Sequence, residues 1–204
     1  MAMERTANAW QDDLVSLSRP FFMAFREGLR EDFTGACELL GVDNISFAQR
    51  LEGTDLREIR LFADLMSSTG WLEFHRGTLR HVLKHKDVEE KNPDANGVAP
   101  WRQKFASIQV AYLMAFRDAV RIHPHLAQHL FKLDDQDLAT QSVDLTLGDL
   151  VTIVPALRTK SVLQLRITVA AELGLDRVLA GGAEEELQIC RMAHASRAQA
   201  PQSL

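Results

Sequence analysis

Cysteine and tyrosine are the scarcest reactive residues of this 204-residue chain, at two and one. Cys37 and Cys190 cannot build a disulfide framework, and two thiols without converging histidines fall short of the four ligands of a structural zinc site. They read as ordinary thiols in a reducing compartment. No apolar run is long enough to span a bilayer, and Met1 to Trp10 lack the charged-then-apolar order of a secretory signal, so the expected location is the cytoplasm. Positive charge is not in excess: 23 Lys and Arg against 28 Asp and Glu give a net charge of −5, so any contact with phosphate needs a local patch or a partner. Nucleophile elbow, phosphate-cradling Gly-rich loop and HExxH are all missing, so the expectation is a non-enzyme with no catalytic residue, no cofactor and no metal. At 46% hydrophobic and 25% charged residues the chain nevertheless has ample material for a globular core.

What the sequence does contain is itself twice. Trp10 and Trp101 stand 91 positions apart, and at that offset the chain overlies itself without a gap as far as Arg76 and Ile167. Identical pairs include Ser16/Ser107, the Met-Ala-Phe-Arg tetrads Met23 to Arg26 and Met114 to Arg117, Arg30/Arg121, Ala36/Ala127, Ala48/Ala139, Leu56/Leu147 and Leu72/Leu163. Apolar positions keep phase as well: Leu14, Leu17, Phe21, Phe25 and Leu29 fall on Phe105, Ile108, Tyr112, Phe116 and Val120, at helical spacing in both copies. The division expected is a first repeat over 10–85, a linker over 86–100, and a second repeat over 101–198 with a C-terminal helix.

Each copy reads in the same order. A long amphipathic helix, roughly Asp12 to Glu31 and Arg102 to Ile122, comes first; Pro20 predicts that the first of these is bent or starts late. Asp32 and His123-Pro124 break it, and a short helix follows to Leu40 or Phe131. Gly41 has the character of a left-handed C-cap and its counterpart Lys132 does not. Asp43-Asn44 and Asp134-Asp135 cap a further helix over Ile45 to Leu51 or Gln136 to Ser142, and Thr54 and Thr146 open the next, to about Met66 and Leu157. These two short helices form a helix-turn-helix-like pair. After loops at Ser67 to Gly70 and Arg158 to Ser161, Trp71 to His75 and Val162 to Ile167 alternate like strands. A lone strand leaves its backbone unpaired, so the two are expected to pair with each other, each repeat playing one subunit of a dimer. Beyond them come a helical turn at Leu175 to Leu179, a break at Gly181-Gly182, a helix over Ala183 to Ala198, and a frayed end over Gln199 to Leu204. The linker, rich in charge with Pro93, Asn96-Gly97 and Pro100, has the length to permit pairing within one chain or exchange between two.

Candidate contact residues are few. Arg50, Arg57 and Arg60 would meet phosphate from the helix pair of the first copy, where the second offers Gln141, Gly148 and Val151 and puts Pro155 in the helix. Arg76, Arg80 and Lys84, interleaved with His75, His81 and His85, make the one basic cluster; a solvated face is its first reading and a phosphate or acidic-partner contact the second. His81 and His85, and His125 and His129, have metal-compatible spacing but no clear further ligand. The expected repeat-repeat interface is Phe21, Phe25, Tyr112, Phe116, Leu72, Phe74, Leu163 and Leu165. Arg26 and Arg117 are expected to salt-bridge or snorkel beside the core phenylalanines.

The run Phe131 to Ala139, leading to Leu145-Thr146-Leu147 and on to Leu165-Arg166-Ile167, resembles the FlhD family of bacterial flagellar transcription regulators. Leu40 to Ala48, through Leu56 and Ile59 to Phe74, resembles it a second time, and Glu186-Leu187-Gln188-Ile189 is similar to the family's last helix. The resemblance implies a mainly α fold: two FlhD-like helical repeats, each with one short strand, forming an intramolecular pseudo-dimer. It also implies a transcription-regulator subunit that acts with an FlhC-like, zinc-containing partner to bind promoter DNA and activate transcription; exchange of repeats between two chains would add a homo-oligomer. Family members can join subunits by a disulfide from the strand region; Glu73 and Gln164 stand there in this chain, and fusion through the linker serves the same end. The alternative is a protein-interaction or decoy module that sequesters a regulator without touching DNA.

Overall fold

The computed structural model describes residues 2–66, 72–84, 97–133 and 135–181. The loop 67–70, Trp71, His85, most of the linker, Asp134, Gly182, the segment 183–198 expected to be a helix, Cys190 and the chain end lie outside the described residues, as do the side chains of residues 2–14, 129, 130, 169 and 170.

Mainly helical, the molecule repeats its element order. The first half is α1 (Ala2–Glu31), α2 (Phe33–Leu40), α3 (Ile45–Gly53), α4 (Leu56–Met66), β1 (Leu72–Phe74) and α5 (Arg76–Lys84). The second is α6 (Pro100–Ile122), α7 (Pro124–Leu130), α8 (Gln136–Val143), α9 (Leu147–Leu157), β2 (Leu163–Leu165) and α10 (Val169–Leu179). The first residues of α2, α3, α4 and β1 reappear 91 positions on as those of α7, α8, α9 and β2.

Local chemistry sets these boundaries. Asn44 and Asp135 accept the N-H of Phe47 and Leu138, capping α3 and α8 as expected. Thr146 and Asp149 form a reciprocal capping box on α9. In the first half Thr54 does not do this work. Its hydroxyl turns back to the Leu51 carbonyl, and Asp55, the true counterpart of Thr146, accepts from Arg57 and Glu58 N-H while Glu58 accepts from Asp55 N-H. Three further expectations are corrected. Of the two outcomes expected from Pro20, a bend or a late start, the late start does not occur: α1 runs through Pro20 from Ala2. α10 is a full helix from Val169 rather than a turn at Leu175, because Thr168 caps it on Ala171 N-H. Lys132 adopts a left-handed backbone, φ 54°, beside φ 62° at Gly41. The turn after α7 must reproduce the turn after α2, and it imposes that geometry on a residue that disfavours it.

The strands pair antiparallel, Leu72 with Leu165, Glu73 with Gln164 and Phe74 with Leu163. Glu73 and Gln164 are themselves equivalent positions of the duplication, so the pairing is centred on a pseudo-two-fold axis. α1 packs along α6 beneath the strands. Phe21 meets Phe105 at 5.3 Å between ring centroids, and Phe74 reaches into the other half, 5.3 Å from Tyr112 and 4.9 Å from Phe116. The eight residues expected at the interface, Phe21, Phe25, Tyr112, Phe116, Leu72, Phe74, Leu163 and Leu165, are all buried, within a core that is continuous through both halves. Each buried aromatic contributes roughly 1.5–3 kcal/mol.

The trailing helices also cross over. α10 packs on α4, and α5 packs on α8. Arg80 of α5 binds Asp135, the cap of α8, at 2.7 Å, while Glu172 of α10 accepts from the side chain of Asn44, the cap of α3. Each half thus holds the other's capping residue.

Candidate interaction surfaces

The paired arginines of the two long helices have a structural task that their retention in both copies foreshadowed. Arg26 Nε donates to the Thr54 carbonyl at 2.6 Å, and Arg30 donates to Glu52 and Thr54. In the second half Arg117 donates to the Leu145 carbonyl and Arg121 to that of Val143. Both pairs tie off the negative C-terminal end of a short helix, α3 or α8, and so fix the helix-turn-helix-like unit to the long helix.

The halves then diverge. Arg117 also binds Asp118 at 2.9 Å. The counterpart of Asp118 is Glu27, and both its carboxylate oxygens are drawn across to Lys104 Nζ on α6, at 2.6 and 2.8 Å. Among the described residues Arg26 therefore makes no ion pair; burial pushes its guanidinium pKa down, as does the nearby Arg30, with Asp55 and Glu58 partly offsetting them. Arg26 keeps 9% of its surface exposed and lines a groove of about 930 Å³ between α1, α4 and α6. Pro20, Met23, Leu56, Ile59 and Ile108 supply its apolar lining.

The exposed faces of α4 and α9 differ in character. α4 presents Leu56 with Arg57 and Arg60, whereas α9 presents Leu147 at 66% and Val151 at 72% exposure, with no basic residue between them. The other side of α4 is closed: Phe62 is buried, and Gly174 of α10 lies against it.

The candidate basic residues do not converge. Arg50 is paired with Asp176 of α10 and Arg80 with Asp135. Arg57 and Arg60 are exposed on α4, and Arg76 and Lys84 on α5. Lys160, from the loop after α9, stands 3.5 Å from His81 and widens the α5 basic face with a residue of the other half. Nothing short of knowing the strand pairing could have placed it there. Among the described residues no group of three or more His, Cys, Asp or Glu side chains is arranged to hold a metal ion, and no helix is long and apolar enough to cross a membrane.

Sequence reasoning missed Gln109, which is fully buried. Its Nε2 donates to the Leu157 carbonyl and its Oε1 accepts Val162 N-H, both at 2.8 Å, pinning the junction between α9 and β2. Its counterpart Ser18 instead donates to Val15 one turn back, so the duplication carried no signal for this role. Comparison with protein-family models, with curated proteins and with solved structures finds no match for this chain.

Proposed function

We propose that this chain is a bacterial transcription-regulator subunit of FlhD-like type whose fused repeats take the place of a dimer. In this reading it joins an FlhC-like partner subunit in the cytoplasm, and the complex binds promoter DNA, flagellar promoters among its targets, and activates transcription. The observation that carries it is the strand pair centred on equivalent residues, Glu73 against Gln164, with each trailing helix crossing to the opposite half. A symmetric exchange of this kind is the arrangement of two subunits that fold together. DNA contact is assigned to the exposed basic residues of α4 and α5, Arg57, Arg60, Arg76 and Lys84, acting on phosphate as part of the complex, since the net charge of −5 gives the chain alone no general pull on DNA.

A specific observation favours a second reading. Where α4 carries arginines, α9 carries Leu147 and Val151, both widely exposed, which suits a protein-interaction module better than a second DNA-reading helix. Titration of labelled promoter DNA with the chain alone and with its co-purified partner, at several salt concentrations, separates the two. Salt-sensitive binding by the complex, weakened by Arg57→Ala and Arg60→Ala, supports the regulator. A partner-loaded chain that never binds DNA replaces it with the interaction module.

A further inference from the structure

The groove beside Arg26 is a binding site in its own right, and we infer that it takes a small aliphatic carboxylate, its headgroup on Arg26 and Arg30 and its chain along the apolar lining. The duplication supplies the internal control. In the second half the equivalent guanidinium, that of Arg117, is met by the carboxylate of Asp118. In the first half Lys104 draws the equivalent acid, Glu27, away. The position matching Lys104 holds Asp13, itself an acid, so the duplication provides no such cation for Asp118. Arg26, itself nine-tenths buried, is left with the Thr54 carbonyl on Nε, and the exposed Arg30 shares that same carbonyl. Two neighbouring cations held by carbonyl oxygens, and making no ion pair among the described residues, favour an incoming anion.

The rest of the lining decides which anion. Lys104 and Glu27 also line the groove but are spent on each other, and the Ser107 hydroxyl donates to the Gln103 carbonyl, so the remaining lining, Pro20, Met23, Ala24, Leu56, Ile59 and Ile108, is apolar and matches an alkyl chain. Asp55 and Glu58 lie near Arg26 and act on it through their charge, but they cap α4 on backbone N-H groups and form no ion pair with its guanidinium. Glu31, exposed at the groove's edge, weakens the attraction for multiply charged ligands more than for a single carboxylate. A headgroup site on the buried Arg26 and the exposed Arg30, in a concavity of this size, suits a small molecule; a protein partner would need a far larger surface to bind stably.

The test uses the intact chain and decanoate below its micellar range, with decan-1-ol and decylamine as controls, followed by calorimetry and by thermal unfolding. Decanoate is expected to bind at least about tenfold more tightly than decanol, the scale of one charge-assisted pair, and decylamine not to bind. Lys104→Gln releases Glu27 toward Arg26, as Asp118 is placed in the second half, and is expected to weaken decanoate about tenfold while leaving decanol unchanged. Ile108→Trp fills the groove and should abolish both. Arg26→Lys keeps a charge but loses the planar fork, and should weaken decanoate without altering the circular dichroism. Equal binding of decanoate and decanol, or decanoate binding that Lys104→Gln and Ile108→Trp leave untouched, overturns the inference. These measurements need no DNA and no partner, so their outcome is independent of the regulator reading.

Discussion

At the scale of single residues, the two halves act as each other's controls. Gly41 and Lys132 share one left-handed turn, yet only glycine takes it without strain. The left-handed backbone costs a non-glycine roughly 1–2 kcal/mol, and glycine's freedom in the unfolded chain returns about 0.4–1 of that. Lys132→Gly is therefore expected to stabilise the protein by about 0.5–1 kcal/mol in urea unfolding, whereas Gly41→Ala loses a similar amount. Asn44 and Asp135 make a second such pair, one cap neutral and one charged. The backbone N-H of Leu138, with help from Arg80, holds the Asp135 carboxyl below its ordinary range; Gly35 N-H with Arg102 does the same for Asp32, and Glu58 and Arg57 N-H for Asp55. A depressed folded pKa means that stability is fully present above the unfolded value, near 4, and is lost as pH falls through the folded one. Unfolding free energy should be level above about pH 5 and decline below 4. Asp135→Asn keeps the cap, as Asn44 does, forgoes the Arg80 pair, and is expected to change stability at neutral pH by less than about 1 kcal/mol while making the acid limb shallower. An unchanged acid limb would remove Asp135 from that account.

Elements are where the sequence was most readable, and where its silences have definite causes. The phase of Phe21, Phe25, Tyr112 and Phe116 located the long helices and their buried face, and the alternation around Leu72 and Leu163 located two strands that, among the described residues, pair only with each other. Caps at Asn44, Asp135 and Thr146 were legible because a short polar side chain before an apolar run has few other uses there. The left-handed Lys132 was not, since its conformation is imposed by the fold against its own preference. Nor was the groove legible: it depends on Lys104 reaching Glu27 across the α1 and α6 contact, and no spacing within either helix reveals that. The same contact makes a further prediction. A methyl at Gly28 of α1 would sit 2.8 Å from the ring of Trp101 at the start of α6, and that ring is buried and cannot step aside. Gly28→Ala is expected to cost about 1–3 kcal/mol, as overpacking does, with the loss seen as a lower urea midpoint. The counterpart residue is Ala119, which a helix interior ordinarily prefers, so the glycine marks the place where α1 makes room for the Trp101 ring.

For the whole molecule, the central strand pair decides which halves belong together. In the intact chain Gln164 donates to Glu73 across the pseudo-two-fold, and the flanking leucines and Phe74 close the core above α1 and α6. Were the first half to pair with a copy of itself in the same register, Glu73 would face Glu73, and like charges directly opposite on a strand pair are destabilising. The second half pairing with itself would place Gln164 against Gln164, which carries no such penalty. Expressed separately, residues 1–85 and 97–204 are accordingly expected to behave differently: the first poorly folded, the second a homodimer. Mixed, they should recombine as a one-to-one complex in preference to either homodimer, since only the mixed pair restores both the Glu73 to Gln164 bond and the contacts of Phe74 with Tyr112 and Phe116. Glu73→Gln relieves the repulsion and should let the first half dimerise. Native mass spectrometry of the separate and mixed halves reads all three outcomes, and folded monomeric halves that ignore one another would contradict the shared core on which the regulator reading rests.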